Sequence, residues 1–296
     1  MPALRVLVTG GGGLLGQYLN LASADRFNLL TLYHEHVGNC ADFNSAHADI
    51  TDEKALELIF QGFHPEVVIH TAAISTPDAV KSLESEYVHR VNVQATRSIA
   101  ALCARYGAKL IYTSTDLVYD GSKGQMLKEN AAVNPVSLYA STKLLGEEAV
   151  KEVMENYIIL RTSLLYGFGL NHATNHFHRM YLSLKEGKSV RLFHDQYRTP
   201  LALTEAARII AILADMPASG ETINFGGRER LSRYEMGQIL CSECGFSTGL
   251  LERTSMYEVE NLPKVADVSM DTLRLRSLGI EQKTMCEAIH EMISRK

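Results

Sequence analysis

Tyr139 and Lys143 stand four residues apart in Tyr139-Ala140-Ser141-Thr142-Lys143. On a helix that spacing puts both side chains on one face, one turn apart, so a phenol and an ammonium can serve one site. A free phenol keeps its proton to a pKa of roughly 10. A neighbouring ammonium favours the phenolate and brings that value toward working pH, which makes the pair a candidate acid/base device. The run from Asn134 to Val150 reads as the helix that would carry it, with Pro135 tolerated in a first turn and Ser137 able to cap. The chain has 13 tyrosines, so one Tyr-x-x-x-Lys match carries little by itself. Its weight depends on the elements around it.

The first of these is a glycine turn. Leu4 to Val8 is an apolar run of strand length, followed by Thr9-Gly10-Gly11-Gly12-Gly13-Leu14-Leu15-Gly16 and a helical reading from Gln17 to Leu21. Strand, glycine turn and helix form the context of a dinucleotide fingerprint. Gly10 allows the tight turn, Gly13 lets backbone approach a pyrophosphate, and Gly16 lets helix pack on strand. The helix N-terminus offers free N–H groups to the phosphates. A second strand, Asn28 to Tyr33, ends roughly 20 residues on, where a ribose-reading acid is expected. That position is Tyr33, followed by His34, Glu35 and His36. The missing carboxylate favours NADP(H); the nearby Glu35 and the lack of an arginine leave NAD(H) open.

Further on, Asp49-Ile50 precedes a helix from about Glu53 to Gln61, and Pro65 to His70 is a strand ending in Thr71-Ala72-Ala73. Small residues there let a cofactor lie against the sheet edge. His70 reads as a strand residue satisfied by its neighbours. A helix from about Glu84 to Tyr106, carrying Val91-Asn92-Val93, leads to the strand Lys109 to Thr113 and then Ser114-Thr115-Asp116. Thr115 can donate to a substrate carbonyl or to backbone, and Asp116 can cap or form a turn. The strand Tyr157 to Arg161 follows. This alternation predicts an α/β fold: a Rossmann doubly wound parallel sheet, helices on both faces, ligands at the carboxyl ends of the strands. Residues 1–163 with about 198–224 form the NAD(P)-binding part. Residues about 164–197 and 225–296 form a smaller, discontinuous substrate-binding part, in which Val259 to Met270 is rich in turns.

Composition narrows the functions. A chain of 296 residues, 46% apolar and 21% charged, can bury a sizeable core. Its net charge of −5 gives no footprint for nucleic acid or an anionic membrane. No apolar run reaches the length of a membrane span, and Met1-Pro-Ala-Leu-Arg leads straight into a strand rather than a signal peptide. Five cysteines, an odd number, read as reduced thiols in a cytoplasmic protein. Cys241-Ser-Glu-Cys244 lacks a second pair to complete a zinc site. His172, His176 and His178 lack the carboxylate of a His-Glu-x-x-His site and read as a face toward substrate, so no metal is expected.

Four signals occur in one order: Thr9-Gly10-x-x-Gly13-x-x-Gly16, His70-Thr-Ala-Ala73, Ser114-Thr115-Asp116 and Tyr139-x-x-x-Lys143. Together they resemble the extended short-chain dehydrogenase/reductase superfamily. Within it the chain is similar to the dTDP-4-dehydrorhamnose reductases, through Ser114-Thr-Asp-Leu-Val-Tyr-Asp-Gly121, Tyr139 to Glu147, Leu160-Arg-Thr-Ser163, Asp195-Gln196 with Pro200, Asn224 to Glu235 and Ser269-Met-Asp271. The resemblance implies NAD(P)H-dependent reduction of a nucleotide-linked 4-keto sugar. In it Tyr139 gives the proton, Thr115 polarises the carbonyl, and Lys143 holds the nicotinamide ribose and tunes the tyrosine. It further implies that Gly10, Gly13, Leu14, Leu15 and Gly16 hold the pyrophosphate and that Asp49 and Ile50 meet the adenine. Ala72, Ala73 and Ile74 then lie on the nicotinamide side. Tyr33 and His34 are the ribose-end candidates; Thr115, Asp116, Leu164 and Asn175 are the substrate candidates. The chain departs from the family at Leu164, where tryptophan is common, and at Leu117 after the Ser-Thr-Asp run. Leucine cannot abstract a proton, so dehydration is disfavoured. The stretch Gly226 to Met236 and Leu278-Gly279 are also similar to the regulatory beta subunit of methionine adenosyltransferase, which implies an NADP-binding partner subunit as the alternative. An epimerase using the same pair, and a homodimer, stay open.

Overall fold

The computed structural model describes residues 3–75, 80, 82–260 and 263–294; positions 261 and 262 of the expected turn-rich stretch lie outside them. Seven parallel strands make the central sheet: β1 (Arg5–Thr9), β2 (Asn28–Tyr33), β3 (Ser45–His47), β4 (Val67–His70), β5 (Lys109–Thr115), β6 (Tyr157–Thr162) and β7 (Glu221–Phe225). Their spatial order is β7-β6-β5-β4-β1-β2-β3. Chain order reverses between β1 and β4, the place where open parallel sheets leave a crevice at their carboxyl ends. Register aligns those ends: Thr9 faces His70, His70 faces Tyr112, and Thr115 faces Thr162. The fold is the doubly wound α/β sheet that the alternation of elements predicts.

Both faces of the sheet are covered, which is why its strands are nearly continuous apolar runs. On one face Leu19, Ile209, Ile210 and Leu213, from the helices Leu14–Ser23 and Leu203–Asp215, pack on Val6, Val8, Ile69 and Ile158. On the other, Leu56, Phe60, Ile99 and Val150 pack on Leu7, Val68, Leu110 and Tyr112. A separate apolar core holds Tyr166, Phe177, Met180, Leu192, Met236, Leu240 and Ile289. It is built by the helices His176–Lys185, Arg233–Cys244 and Met285–Ser294 and the short parallel ladder of Val190–Phe193 with Leu251–Thr254.

Two helices differ from the sequence reading in ways that matter for the site. The helix carrying Tyr139 spans Leu138–Val153, not Asn134 onward. Ser137 caps it, its hydroxyl accepting from the Ala140 N–H at 3.2 Å, and Pro135 stays outside because proline keeps its predecessor extended. The expected helix 84–106 is three pieces: α-helix Ser85–His89, a π-turn Arg90–Gln94, and α-helix Ala95–Tyr106. A π-turn inserts one extra residue and often marks a functional site. No local sequence signal announced it.

Candidate active site

A cleft of about 850 Å³ runs along the carboxyl ends of the strands, with the glycine loop at its centre. Gly10 has φ +74°, and a Cβ there would stand 2.7 Å from the Ala72 nitrogen. A Cβ at Gly16 would lie 2.1 Å from the Gly10 carbonyl oxygen, so helix and loop touch only because it is absent. Gly11 and Gly12, which the fingerprint leaves free, are as constrained: a Cβ would meet Thr31 Oγ1 at 1.8 Å and the His36 carbonyl oxygen at 1.9 Å. Gly13 caps the helix Leu14–Ser23 without a side chain, and the first turn holds no acid. The N–H groups at that end therefore have no protein anion to satisfy them, and the cradle fits a pyrophosphate.

The two ends of the cleft differ. One is lined by Tyr33, His34, Glu35, Asp49 and Ile50. Burial opposes the Asp49 charge, yet bonds from Thr51, with His34 and Arg90 nearby, hold its carboxyl below the usual range. His36 stacks on His172 with ring centres 4.2 Å apart, joining the edge of β2 to the loop before His176–Lys185. Asn171 Nδ2 donates to Gln17 Oε1 at 2.6 Å, and Tyr18 donates to the Phe168 carbonyl at 2.9 Å, tying that loop to the glycine-loop helix.

The other end holds Thr115, Tyr139 and Lys143. The Tyr139 phenol is hydrogen-bonded to Thr115. Burial pushes its pKa up to about 12, the Thr115 bond opposes this, and the Asp116 charge adds to it. Burial likewise pushes Lys143 down to about 7, against the attraction of Glu147. The expected lowering of the tyrosine by the lysine is not among the effects acting on it; burial dominates, and Tyr139 holds its proton at neutral pH. That suits a proton donor. Beneath the pair lies a satisfied layer. His70 is fully buried, joined to Thr9 at 2.7 Å and Thr96 at 3.1 Å, and pushed down to about 3 by burial and by Lys143. It is a neutral strand residue, as its sequence context suggests.

Asn92 sits in the π-turn. Its Oδ1 accepts from the Ile74 N–H at 2.9 Å, and its Nδ2 donates to the Ile74 carbonyl and to Thr142 Oγ1, both at 3.1 Å. It ties the exit of β4 to the Tyr139 helix. Glu147, one turn beyond Lys143, is wholly buried and accepts from Ser114 Oγ at 2.6 Å and from Arg161 at 2.9 Å.

The cofactor and substrate candidates from the sequence all line this one cleft: Gly10, Gly13, Leu14, Leu15, Gly16, Tyr33, His34, Asp49, Ile50, Ala72, Ala73, Ile74, Thr115, Asp116, Tyr139, Lys143, Leu164 and Asn175. Of the three histidines expected to face substrate, His172 lines it, while His176 and His178 do not; His178 Nδ1 instead accepts from the Gly169 N–H at 2.9 Å. Sequence reasoning gave no role to Gln196, Arg198 and Arg233, which line the same cleft from distant segments. It also missed what Asn92 does, although an asparagine between two valines was a signal. Among the described residues no group of three or more His, Cys, Asp or Glu side chains is placed to hold a metal ion, and no helix is long and apolar enough to cross a membrane.

Comparison with known proteins places these features in context. A family model described as the RmlD substrate binding domain matches residues 4–296. The chain is 30% identical over 297 residues to methionine adenosyltransferase 2 subunit beta of Bos taurus, covering 96% of this chain and 85% of that one. It is 30% identical over 247 residues to dTDP-4-dehydrorhamnose reductase of Mycobacterium tuberculosis strain H37Rv, covering 81% and 76%. A solved dTDP-4-dehydrorhamnose reductase from Bacillus anthracis, in complex with NADP, shares the fold with a TM-score of 0.86 at 23% identity over all of both chains. A hypothetical dTDP-4-dehydrorhamnose reductase from Sulfolobus tokodaii superposes with a TM-score of 0.82 at 27% identity, covering 95% and 98%.

Proposed function

The chain belongs to the RmlD substrate binding domain family, and from that premise we propose that it is an NAD(P)H-dependent reductase of a nucleotide-linked 4-keto sugar. The observation that carries this reading is the meeting of Thr115, Tyr139 and Lys143 with the open N-terminus of the glycine-loop helix in one cleft. An NAD(P)H held by the glycine loop at the N-terminus of the helix Leu14–Ser23 would supply hydride for the carbonyl carbon. As negative charge develops on the carbonyl oxygen, the Tyr139 phenol gives it a proton and the Thr115 hydroxyl donates a hydrogen bond. The Lys143 ammonium then stabilises the phenolate that remains and holds the ribose. Leu117 and Leu164 furnish apolar wall at the substrate end.

The lack of a carboxylate at Tyr33 supports NADP(H) over NAD(H), although solved structures of the same fold carry either NADP or NAD. NADPH and NADH oxidation should be followed with several nucleotide 4-keto sugars. Absence of turnover with all of them, together with a retained dinucleotide, would discard the reductase reading.

A second reading has its own support. The likeness to methionine adenosyltransferase 2 subunit beta spans 96% of this chain. In that reading the cofactor cleft serves a partner subunit, and co-purification with a partner enzyme in the absence of ketone turnover would favour it.

A further inference from the structure

The loop between Tyr166 and the helix His176–Lys185 is held by both parts of the chain. Toward the substrate part its anchor is largely apolar: the Phe168 ring packs on Tyr181 with centres 4.9 Å apart, and the Gly169 N–H donates to His178 Nδ1 at 2.9 Å. Toward the glycine loop its contacts are polar. Tyr18 donates to the Phe168 carbonyl at 2.9 Å, Gln17 Nε2 to the Leu170 carbonyl at 3.3 Å, and Asn171 Nδ2 to Gln17 Oε1 at 2.6 Å. The same Gln17 amide donates to the Gly12 carbonyl at 3.1 Å, inside the glycine loop. Gln17 is fully buried, so one side chain fastens this loop to the turn that fits a pyrophosphate.

The last contact joins the two rims of the cleft. His36 and His172 both line it, both are exposed, and their rings stack with centres 4.2 Å apart. The His36 carbonyl oxygen lies so close to Gly12 that a Cβ there would meet it at 1.9 Å. Gly12, Gln17, Asn171, His172 and His36 thus form a closed circuit of contacts around the glycine turn. Asn171 has φ +49°, a left-handed conformation that asparagine tolerates better than most residues, and its amide reaches Gln17 from there. Exposed stacked rings and a partly exposed amide bond are cheap to break, because water replaces what they lose. A loop with an apolar root and a polar tip opens at the tip.

We propose that residues 168–172 are a clasp over the glycine turn, and that a dinucleotide enters and leaves when the Asn171–Gln17 bond and the His36–His172 stack open. This rests on the dinucleotide reading of the cleft, which the reductase and partner-subunit readings share, and needs no ketone chemistry. The contacts join protein to protein, so weakening them lowers the cost of opening equally for the free and the loaded chain. The clasp therefore sets the rates of nucleotide exchange and leaves affinity nearly alone. A static wall of the site would do otherwise, changing affinity through the dissociation rate.

The test is stopped-flow fluorescence of NADPH and NADH with the full chain, following association directly and dissociation by displacement with excess oxidised nucleotide. Asn171→Gly keeps the left-handed backbone and removes only the amide; His172→Ala removes the stack. Each should raise the association and dissociation rates together by about 3- to 10-fold, the worth of one hydrogen bond or one stacked pair, with Kd within about threefold of the parent. The double variant should approach the product of the two. NADPH and NADH should respond alike, because the clasp lies over the pyrophosphate that both share. Rates within about twofold of the parent in both single variants, or a rise in dissociation alone, would overturn the clasp. His172→Ala changes an exposed side chain, so it reads the clasp even where Asn171→Gly lowers stability. A parent that binds neither nucleotide strikes the dinucleotide reading itself, and the clasp falls with it.

Discussion

Lys143 Nζ stands 4.2 Å from the centre of the Tyr112 ring, and the Tyr112 hydroxyl reaches back to the Lys143 carbonyl oxygen at 3.4 Å. The ammonium thus rests on an aromatic face in a buried place, where such contacts are strongest. Gly146 makes the room: a Cβ there would lie 2.3 Å from the Tyr112 hydroxyl oxygen. Gly146→Ala should therefore destabilise the protein by about 1–3 kcal/mol through overpacking. Adding Tyr112→Phe removes the nearest atom in conflict and should restore part of the loss, since Tyr112 Cζ at 3.0 Å and the Asn92 carbonyl oxygen at 3.1 Å remain. Urea midpoints of the two variants decide it, and a double variant no more stable than the single one counts against this packing.

Tyr139→Phe should lower the reductase rate by about 10²–10⁴-fold while leaving cofactor affinity nearly intact, because only the proton donor is removed. Nucleotide binding by fluorescence and turnover in the same sample separate the two effects. Unchanged turnover would remove Tyr139 from the acid role.

The pH dependence of the reaction follows from Lys143. With its pKa pushed down to about 7, the ammonium is present below that value and lost as pH rises through it. kcat/KM should fall across that window, since it reports the free enzyme. Lys143→Arg keeps its charge at all these values and should flatten the alkaline limb, whatever its absolute rate. An unchanged limb in that variant assigns the ionisation to another group.

His70 makes a prediction about stability. It stays neutral when folded down to about pH 3, while the unfolded chain takes up a proton near 6.5. Between these values the unfolded state binds more protons, so stability falls as pH falls. One such group contributes about 1.4 kcal/mol per pH unit at full slope. Lowering the pH from 6.5 to 5 should therefore cost the parent about 2 kcal/mol that His70→Gln does not lose. Parallel urea curves for the two proteins across that range would contradict this.

Glu147→Gln should cost about 3–5 kcal/mol, because Arg161 would be left buried beside a neutral amide. Arg161 also donates to the Tyr119 hydroxyl and the Glu129 carbonyl, both at 2.9 Å, so it has no easy route to solvent. A loss below 1 kcal/mol by chemical denaturation would mean that the carboxylate is not what holds Arg161.

What was legible in the sequence was what is local. Gly10 to Gly16, the strand runs and the four-residue spacing of Tyr139 and Lys143 each state their geometry within a few residues. Gly11 and Gly12 escaped notice because their constraint comes from Thr31 and His36, across the sheet edge. Arg198 and Arg233 escaped for the same reason: one lies between β6 and β7 and the other beyond β7, and only the fold brings them near Asp116. Glu147 passed for one more helix former, since nothing near it in sequence reveals that Arg161 will lie against it. The start of the Tyr139 helix was misjudged because Pro135 fits a first turn as readily as the extended approach to a Ser137 cap.

The π-turn at Arg90–Gln94 carries a liability of its own. A surplus residue in a helix is a register shift of about 100° held in place. Deleting one residue from that turn would give a smoother helix and, by local criteria, a better one. It would also swing the Asn92 amide away from Ile74 and Thr142, uncoupling the floor of the cleft from the helix that presents the phenol. In this chain a more regular backbone would make a worse catalyst, so random deletion libraries should find the segment tolerant in folding and intolerant in turnover.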